Sequence, residues 1–165
     1  MAPSKNAALS LAKNILSLYE ISNYSDETVD NLYDVNAEFS DPLVEVSGIN
    51  DIKGQFRSLK MILSSSQAKL IRGSLSGGDT LTIESQLDFE FKLLPKFLRA
   101  SIRIFSICDL DETKVIRHTD HWDVKSLVQN VPIIGFLYNR FRPCFGKVSS
   151  AFVNRVMPEG HAHTS

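Results

Sequence analysis

Hydrophobic and polar residues alternate most clearly along residues 115–125, V-I-R-H-T-D-H-W-D-V-K. Because a β-strand sends successive side chains to opposite faces, this pattern predicts a strand with one mostly apolar face. A histidine and an aspartate on an inward face are costly to bury without partners, so the strand indicates either a polar network in the core or a pocket that performs chemistry. The predicted inward residues are Ile116, His118, Asp120, Trp122 and Val124.

Hydrophobic residues at helical spacing predict three helices in the first part of the chain. These helices cover residues 6–20, 27–33 and 49–63. Ser25 or Asp26 is predicted to cap the second helix, because short polar side chains accept hydrogen bonds from the free amides of a first turn. The apolar stripes of the first and third helices predict that both pack on a common core.

A strand is predicted between the second and third helices. Val35, Ala37, Phe39 and Asp41 alternate with other residues, so Asp41 is predicted to lie on the apolar face. Pro42 follows directly and cannot donate a ladder hydrogen bond, which indicates a bulge or the end of the strand. Bulges re-aim side chains and are frequent near active sites, so Asp41 is a second candidate acid. The alternative is that Asp41 only caps the turn that begins at Pro42.

The residues from 68 onward alternate with the period of β-strands and predict a four-stranded antiparallel meander. Turns are predicted at residues 77–79 and 109–113. Together with the helices, this order predicts an α+β fold, in which a curved, cone-shaped antiparallel sheet packs on the N-terminal helices and encloses a cavity. The predicted strands cover residues 68–75, 80–92, 99–109 and 114–125.

The segment after residue 125 differs in composition from the preceding part. Between residues 126 and 157, basic and large apolar residues are interleaved without an acid, and Pro132 and Pro143 divide the segment into two short predicted helices. These helices either lie on a membrane surface, cover the cavity, or pack on the domain or on a partner in a homodimer. The predicted organisation is therefore an α+β domain (1–125), a basic amphipathic helical segment (126–157) and a tail expected to be flexible (158–165).

Composition narrows the class of protein. A length of 165 residues predicts one domain with a substantial core, and a net charge of -1 provides no general attraction to nucleic acid. The chain has no apolar run that could cross a bilayer, and its N-terminus lacks the pattern of a signal peptide. Cys108 and Cys144 form neither a disulfide framework nor a metal-ligand spacing. These features predict a cytoplasmic protein, with peripheral membrane attachment through residues 126–157 as the open alternative.

Two motifs resemble those of a known superfamily. Residues 32–42, L-Y-D-V-N-A-E-F-S-D-P, and residues 119–124, T-D-H-W-D-V, are similar to strands of the nuclear transport factor 2-like superfamily, and the resemblance extends over residues 6–125. That superfamily includes ketosteroid isomerases, limonene epoxide hydrolases, scytalone dehydratases and SnoaL-like polyketide cyclases, together with non-catalytic members. The resemblance implies the cone-shaped fold and, for a catalytic member, an isomerase, cyclase or dehydratase type of reaction.

The resemblance also implies roles for the two acids. Asp41 matches the general-base aspartate that precedes a proline in ketosteroid isomerases, and Asp120 matches their protonated, oxyanion-binding aspartate. Three departures accompany these matches. The tyrosine on the first helix of the isomerases corresponds to a position near Ser17 or Leu18, and Tyr19 lies close to it but does not align. His118 has no counterpart in the isomerase pattern, and the basic, aromatic segment after Ser126 lies outside the usual core.

The candidate site combines these residues. Asp41, His118 and Asp120 are predicted to line one enclosed cavity and to move protons on a small hydrophobic ligand. The alternative is a non-catalytic ligand-binding or dimerisation module of the same fold. No cofactor and no metal are expected, because no third neutral metal ligand accompanies these residues. The aromatic residues that either contact the ligand or only fill the core are Tyr33, Phe39, Phe89, Phe105 and Trp122.

Overall fold

The computed structural model describes residues 5–93, 99–130, 135–141, 143–144 and 147. The chain forms a first unit, Met1–Asn130, and a second unit, Val131–Ser165. The described residues of the second unit are helical. Most of the segment 126–157 lies outside the described residues, so its two helices and their docking stay predictions. None of the helices in the described part of the chain is long and apolar enough to cross a membrane.

The described part of the first unit consists of four helices and six strands. This order confirms the predicted α+β class and adds a short second strand. The helices are α1 (Lys5–Ser17), α2 (Asp26–Leu32), α3 (Ile49–Ile62) and α4 (Val124–Gln129). The strands are β1 (Tyr33–Ser40), β2 (Glu45–Ser47), β3 (Leu63–Ser76), β4 (Thr80–Phe91), β5 (Arg99–Asp111) and β6 (Lys114–Trp122).

The strands form one sheet in the order β2-β1-β6-β5-β4-β3. β1 runs parallel to β6, and every other neighbouring pair is antiparallel. The strand that carries His118 and Asp120 is therefore an interior strand, hydrogen-bonded on both sides. This position puts two titratable side chains in a well-shielded part of the sheet.

The N-terminal helices bury their apolar stripes against the inward side chains of the sheet. Ile15 of α1 and Ile52 and Phe56 of α3 are buried, as their helical spacing predicts. They belong to one hydrophobic cluster with the inward residues of the strands. Ser25 caps α2, because its hydroxyl accepts a 3.1 Å hydrogen bond from the amide of Thr28. The capping prediction is thus confirmed for Ser25.

A bulge in β6 changes the predicted inward face. The register with β5 shifts between Asp109 and Leu110, and on β6 Val115 is fully buried while Ile116 is 41% exposed. The inward position predicted for Ile116 is therefore wrong, because a bulge adds one residue to a strand and interrupts the alternation of faces. Val124 is also exposed, since it begins α4 and does not continue the strand. Alternation holds from His118 to Trp122.

Two further boundaries differ from the sequence prediction. In β1 the pairing with β6 shifts between Tyr33 and Glu38, and Val35 is 63% exposed instead of inward. β3 begins at Leu63, directly after α3, whereas the predicted strand begins at residue 68. Ser66 is buried in this strand, and its hydroxyl accepts a 2.8 Å hydrogen bond from the amide of Ile21. Ser66 therefore has a role within the strand, because it supplies the hydrogen-bond acceptor that the amide of Ile21 needs.

Candidate functional site

The first unit contains a cavity of about 420 Å³ between α3, the end of β1 and the inward faces of β4, β5 and β6. Most of its lining is apolar. Its polar side chains belong to Tyr19, Asp41, Gln55, Ser58 and Asp120. Among the described residues that line it, there is no lysine, arginine or histidine. The six aromatic residues of the lining are Tyr19, Phe39, Phe56, Phe89, Phe91 and Trp122.

Asp120 is the centre of a buried hydrogen-bond network. Its side chain points inward from β6, and the residue is only 3% exposed. Its Oδ1 accepts a 2.5 Å hydrogen bond from the hydroxyl of Ser106, which lies opposite it on β5, and lies 3.0 Å from His118 Nε2. The hydroxyl of Tyr19 donates to Oδ2. Both carboxylate oxygens are therefore occupied, and Tyr19 connects the network to the cavity.

His118 lies behind Asp120 and is fully buried. Its Nδ1 is 2.6 Å from the hydroxyl of Tyr33, and its Nε2 is also 3.4 Å from the hydroxyl of Tyr19. The imidazole stacks on Tyr33 with 6.0 Å between ring centroids and meets Phe39 edge-on at 5.2 Å. His118 is thus enclosed by aromatic rings, and it does not belong to the cavity lining.

The network favours an ion pair at neutral pH. Burial alone raises the pKa of Asp120, but the charge of His118 and the hydrogen bonds from His118, Ser106 and Tyr19 lower it below its ordinary value. Burial alone lowers the pKa of His118, but the acidic groups of Cys108, Tyr33 and Asp120 raise it well above its ordinary value. These pKa directions favour an ionised Asp120 with His118 as its cationic partner, and they do not favour the protonated Asp120 that the resemblance implies.

Burial acts in one direction on the two tyrosines of the network. It raises the pKa of Tyr19, and the neighbouring Asp120 carboxylate raises it further. Burial also raises the pKa of Tyr33 above its ordinary value, although His118 opposes this effect. Both phenols therefore stay neutral and act as hydrogen-bonding groups. With both imidazole nitrogens protonated, Nε2–H donates to Asp120 and Nδ1–H donates to the Tyr33 oxygen.

Asp41 occupies a different environment at the end of β1. Its Oδ1 accepts hydrogen bonds from the amides of Leu43 (2.7 Å) and Val44 (2.8 Å), and its own amide donates to the Val44 carbonyl at 2.9 Å. These bonds, with Pro42 between them, make the tight turn into β2. Asp41 is half-buried and lines the cavity. Its Oδ2 forms no hydrogen bond with the residues that the structure describes, so this oxygen is available to a ligand.

The structure brings together most, but not all, of the predicted site residues. Asp41 and Asp120 line the cavity, as do the predicted Phe39, Phe89 and Trp122. His118 and Tyr33 lie behind the lining and bond to each other. No group of three or more histidine, cysteine, aspartate or glutamate side chains in the described part of the chain is arranged to hold a metal ion.

Phe105 requires a correction. It pairs with His121 of β6, a residue on the face opposite His118 and Asp120, and the guanidinium of Arg103 lies 5.5 Å from its ring centroid. Phe105 therefore packs on the outer face of the sheet and does not line the cavity.

Sequence reasoning missed Tyr19 and Ser106 as members of the site. Tyr19 follows the last residue of α1 in a turn and reaches Asp120 across 101 sequence positions. The available signal was its place on the apolar stripe of the first helix, since a buried tyrosine hydroxyl needs a hydrogen-bond partner. Ser106 alternates with the inward Ile104 and Cys108 of β5, which indicated a polar group facing His118 and Asp120.

Comparison with known proteins supports the architecture. No protein-family model and no curated protein matches the chain. An LEH-like epoxide hydrolase of M. tuberculosis superposes with a TM-score of 0.64 at 13% identity, covering 85% of this chain and 99% of that one. A protein of Catenulispora acidiphila with a ketosteroid isomerase-like fold, solved in complex with trimethylamine, gives 0.63 at 11% identity, with coverages of 73% and 90%.

A third solved structure is described by the superfamily name that the two sequence motifs suggest. A protein of unknown function from Burkholderia pseudomallei, described as nuclear transport factor 2-like, gives a TM-score of 0.61 at 8% identity and covers 76% of this chain and 98% of that one. Identities this low establish a shared fold and leave the activity open. The fold expected from the two sequence motifs is confirmed.

Proposed function

We propose that this chain, which has the nuclear transport factor 2-like fold, is an enzyme that moves a proton on a small, mainly apolar molecule held in the cavity. The observation that carries this proposal is the contrast between the two carboxylates of the lining. Asp120 is fully engaged by protein donors, whereas Asp41 keeps one oxygen without a partner among the residues that the structure describes. A carboxylate oxygen that faces an apolar cavity is suited to act as a general base.

In the proposed reaction Asp41 takes a proton from a carbon atom next to a carbonyl group. The carbon–hydrogen bond breaks, its electron pair moves to the carbonyl oxygen, and the proton ends on Asp41 Oδ2. Tyr19 offers a hydrogen bond to that oxygen by exchanging its acceptor, Asp120, for the ligand. If a carbon–carbon double bond follows the reacting carbon, return of the proton to the far end of that bond completes an isomerisation. If the next carbon carries a hydroxyl group, this group leaves as water with the proton from Asp41, the electron pair forms a carbon–carbon double bond, and a dehydration is complete.

The buried part of the network prepares Tyr19 for this role. Asp120 holds the Tyr19 hydroxyl at the cavity wall, and the positive charge on His118 offsets the Asp120 carboxylate. His118 and Asp120 are thus proposed to position a hydrogen-bond donor and to leave the proton abstraction to Asp41. Tyr19 takes the place of the donor that the family resemblance puts slightly earlier on the first helix.

The structural neighbours support a small-molecule role. The protein from Catenulispora acidiphila was solved in complex with trimethylamine, and the M. tuberculosis protein is described as an epoxide hydrolase. Both descriptions concern small molecules. They fit a cavity of about 420 Å³, which lies within the range of small-molecule sites.

The second candidate is a binding module without catalysis. The complete engagement of His118 and Asp120 favours it, because a satisfied buried pair also serves to hold a core together. The two functions differ in what Asp41 contributes. For a binding module its charge affects only affinity, whereas for an enzyme it determines the rate.

Proton exchange tests the proposal without knowledge of the natural substrate. We expect the protein to accelerate deuterium incorporation next to the carbonyl of 4-tert-butylcyclohexanone in D₂O, followed by NMR. The Asp41→Asn variant should lose about 10²- to 10⁴-fold of that acceleration, the usual contribution of a general base. Asp34→Asn is the matched control, because Asp34 also accepts a backbone amide hydrogen bond, from Asn36, and does not line the cavity. Binding of the ketone without any exchange would favour the binding module.

A further inference from the structure

We propose that the ligand of this cavity carries a basic nitrogen that is protonated at neutral pH, so that the site selects small apolar amines over neutral or acidic molecules of the same shape. This inference assigns a ligand class to the same cavity and rests on the proposed function to that extent. Charge, aromatic lining and the direction of the hydrogen bonds each support it.

The charge of the lining favours a cation. Asp41 and Asp120 both contribute carboxylates, and no basic side chain occurs among the described lining residues. His118 lies nearby, but its Nε2 is directed at Asp120 and its ring is enclosed by Tyr33 and Phe39. Its charge therefore compensates one carboxylate, and the other has no cationic partner among the described residues. An acidic ligand would meet Asp41 without any cationic group to receive it.

The aromatic lining is suited to the same kind of ligand. Tyr19 and Phe39 both meet Phe56 edge-on, with ring centroids 5.3 Å and 5.6 Å apart. Phe89, Phe91 and Trp122 contribute further rings to the wall. Ring faces attract alkylammonium groups while the rest of the ring surface covers their apolar substituents. A cavity that combines such rings with a carboxylate matches a protonated amine in both charge and shape.

The hydrogen bonds of the lining also favour a cationic ligand. The proton of the Tyr19 hydroxyl is donated to Asp120, so in the resting protein the phenol oxygen offers lone pairs to the cavity. Asp41 Oδ2 also offers lone pairs only. At these two positions the resting cavity presents acceptors, so a ligand that brings positive charge close to them is favoured over one that brings an anion, while Asp41 Oδ2 stays free for the proton of the carbon–hydrogen bond.

A cationic ligand also resolves a difficulty in the proposed reaction. When Asp41 removes a proton from carbon, negative charge develops on the ligand close to Asp120. Tyr19 offers this charge one hydrogen bond, but the described lining contains no cation to stabilise it. A ligand that carries its own ammonium group provides the missing positive charge at a constant distance from the reacting carbon.

A pair of isosteric ketones tests the inference. N-tert-Butyl-4-piperidone is protonated at pH 7, and 4-tert-butylcyclohexanone has the same shape without a charge; 4-oxocyclohexanecarboxylate serves as the anion. Binding is measured by ligand-observed NMR and by the fluorescence of Trp122, the one tryptophan of the chain, which lines the cavity. We expect the protonated piperidone to bind about tenfold more tightly than the neutral ketone, within the range of a cation–π contact in a desolvated site. The carboxylate should bind most weakly of the three.

Variants assign the preference to Asp41. In Asp41→Asn, which keeps an acceptor for the turn, the tenfold preference should fall to about threefold or less, while Asp34→Asn should retain it. Equal or tighter binding of the neutral ketone by the wild-type protein would overturn the inference and leave the proposed function standing. Failure of all three compounds both to bind and to exchange would overturn the inference and the proposed function together.

Discussion

Asp120 and Asp41 line one cavity, but their surroundings are opposite. Asp120 is 3% exposed, lies on an interior strand and receives hydrogen bonds on both oxygens. Asp41 is half-buried at the end of β1, and in the described part of the chain only one of its oxygens is engaged, by the backbone of its own turn. The same residue type is thus part of the core in one place and a free chemical group in the other. The comparison shows that an inward-facing position on a strand is not enough to identify a catalytic carboxylate.

The contrast has an energetic basis. Removing two charges from water is expensive, and a buried pair repays that cost only when hydrogen bonds satisfy its remaining groups. His118 and Asp120 meet this requirement through Tyr33, Ser106 and Tyr19. A network that is fully satisfied resists change, whereas Asp41 can exchange solvent for a ligand without breaking a protein hydrogen bond at Oδ2. We therefore expect mutations in the two regions to separate stability from activity.

The largest effect is expected for Asp120→Ala. This change leaves the charge of His118 buried without its partner and the hydroxyls of Tyr19 and Ser106 without an acceptor. The free energy of unfolding should fall by about 3–5 kcal/mol, measured by urea denaturation followed by circular dichroism. If Asp120→Ala were no more destabilising than Asp41→Ala, the contrast between a structural and a free carboxylate would be refuted.

The second prediction concerns pH. The pKa of His118 is raised above 6.5, so its stabilisation is complete below about pH 6.5 and is lost as pH rises through the raised pKa. The pKa of Asp120 is lowered below 3.8, so its stabilisation is complete above about pH 3.8 and is lost as pH falls through the lowered pKa. Stability should therefore be highest between about pH 4 and pH 6.5. Urea midpoints across the pH range measure this, and in Asp120→Asn both slopes should become shallower. Identical pH profiles for that variant and the wild type would contradict the ion pair.

The third prediction compares two tyrosine hydroxyls. Tyr33→Phe leaves His118 Nδ1 without a partner in a fully buried place, which should cost about 1–3 kcal/mol of unfolding free energy. Tyr24→Phe is the control, because the hydroxyl of Tyr24 donates to Asp26 and to the Lys53 carbonyl, and Asp26 is only half-buried, so water can reach the carboxylate that loses this bond. This control should cost about 0.5–1 kcal/mol. Equal losses in the two variants would mean that burial does not strengthen the His118 bond.

The sequence allowed the element order and the inward direction of His118, Asp120 and Trp122 to be predicted. Alternation is a reliable guide there because the strand is regular from residue 118 to residue 122. The same reasoning could have excluded Phe105 from the predicted ligand site. Ile104 and Ser106 are inward, so the residue between them must face outward.

Other features of the site could not be predicted from the sequence. The bulges that expose Val35 and Ile116 do not disturb the alternation of hydrophobic and polar residues in the sequence. An extra residue in a strand therefore cannot be recognised from this pattern. The bond between Tyr19 and Asp120 depends on how the end of α1 packs over β6, a tertiary relation between positions far apart in the chain. The ionised state of Asp120 follows from that packing, since its partners decide the direction of its pKa shift.

The smallest expected effect separates the two roles of Asp41. In Asp41→Asn the amide oxygen can still accept the hydrogen bonds from the amides of Leu43 and Val44, and Pro42 still favours the turn. The free energy of unfolding should therefore stay within about 0.5 kcal/mol of the wild type. Asp41→Ala removes the acceptor and should cost about 1 kcal/mol, a modest loss because Leu43 is 76% exposed and water can solvate its amide.

Both Asp41 variants should nevertheless lose the same proton-exchange activity, because each lacks the free carboxylate oxygen. Thermal or urea unfolding measured beside the exchange rate distinguishes the two roles. If Asp41→Asn destabilised the protein as much as Asp41→Ala, the turn would depend on the negative charge and not on the acceptor. Asp41 would then belong with Asp120 among the carboxylates that hold the structure, and its free oxygen would no longer distinguish it as the base.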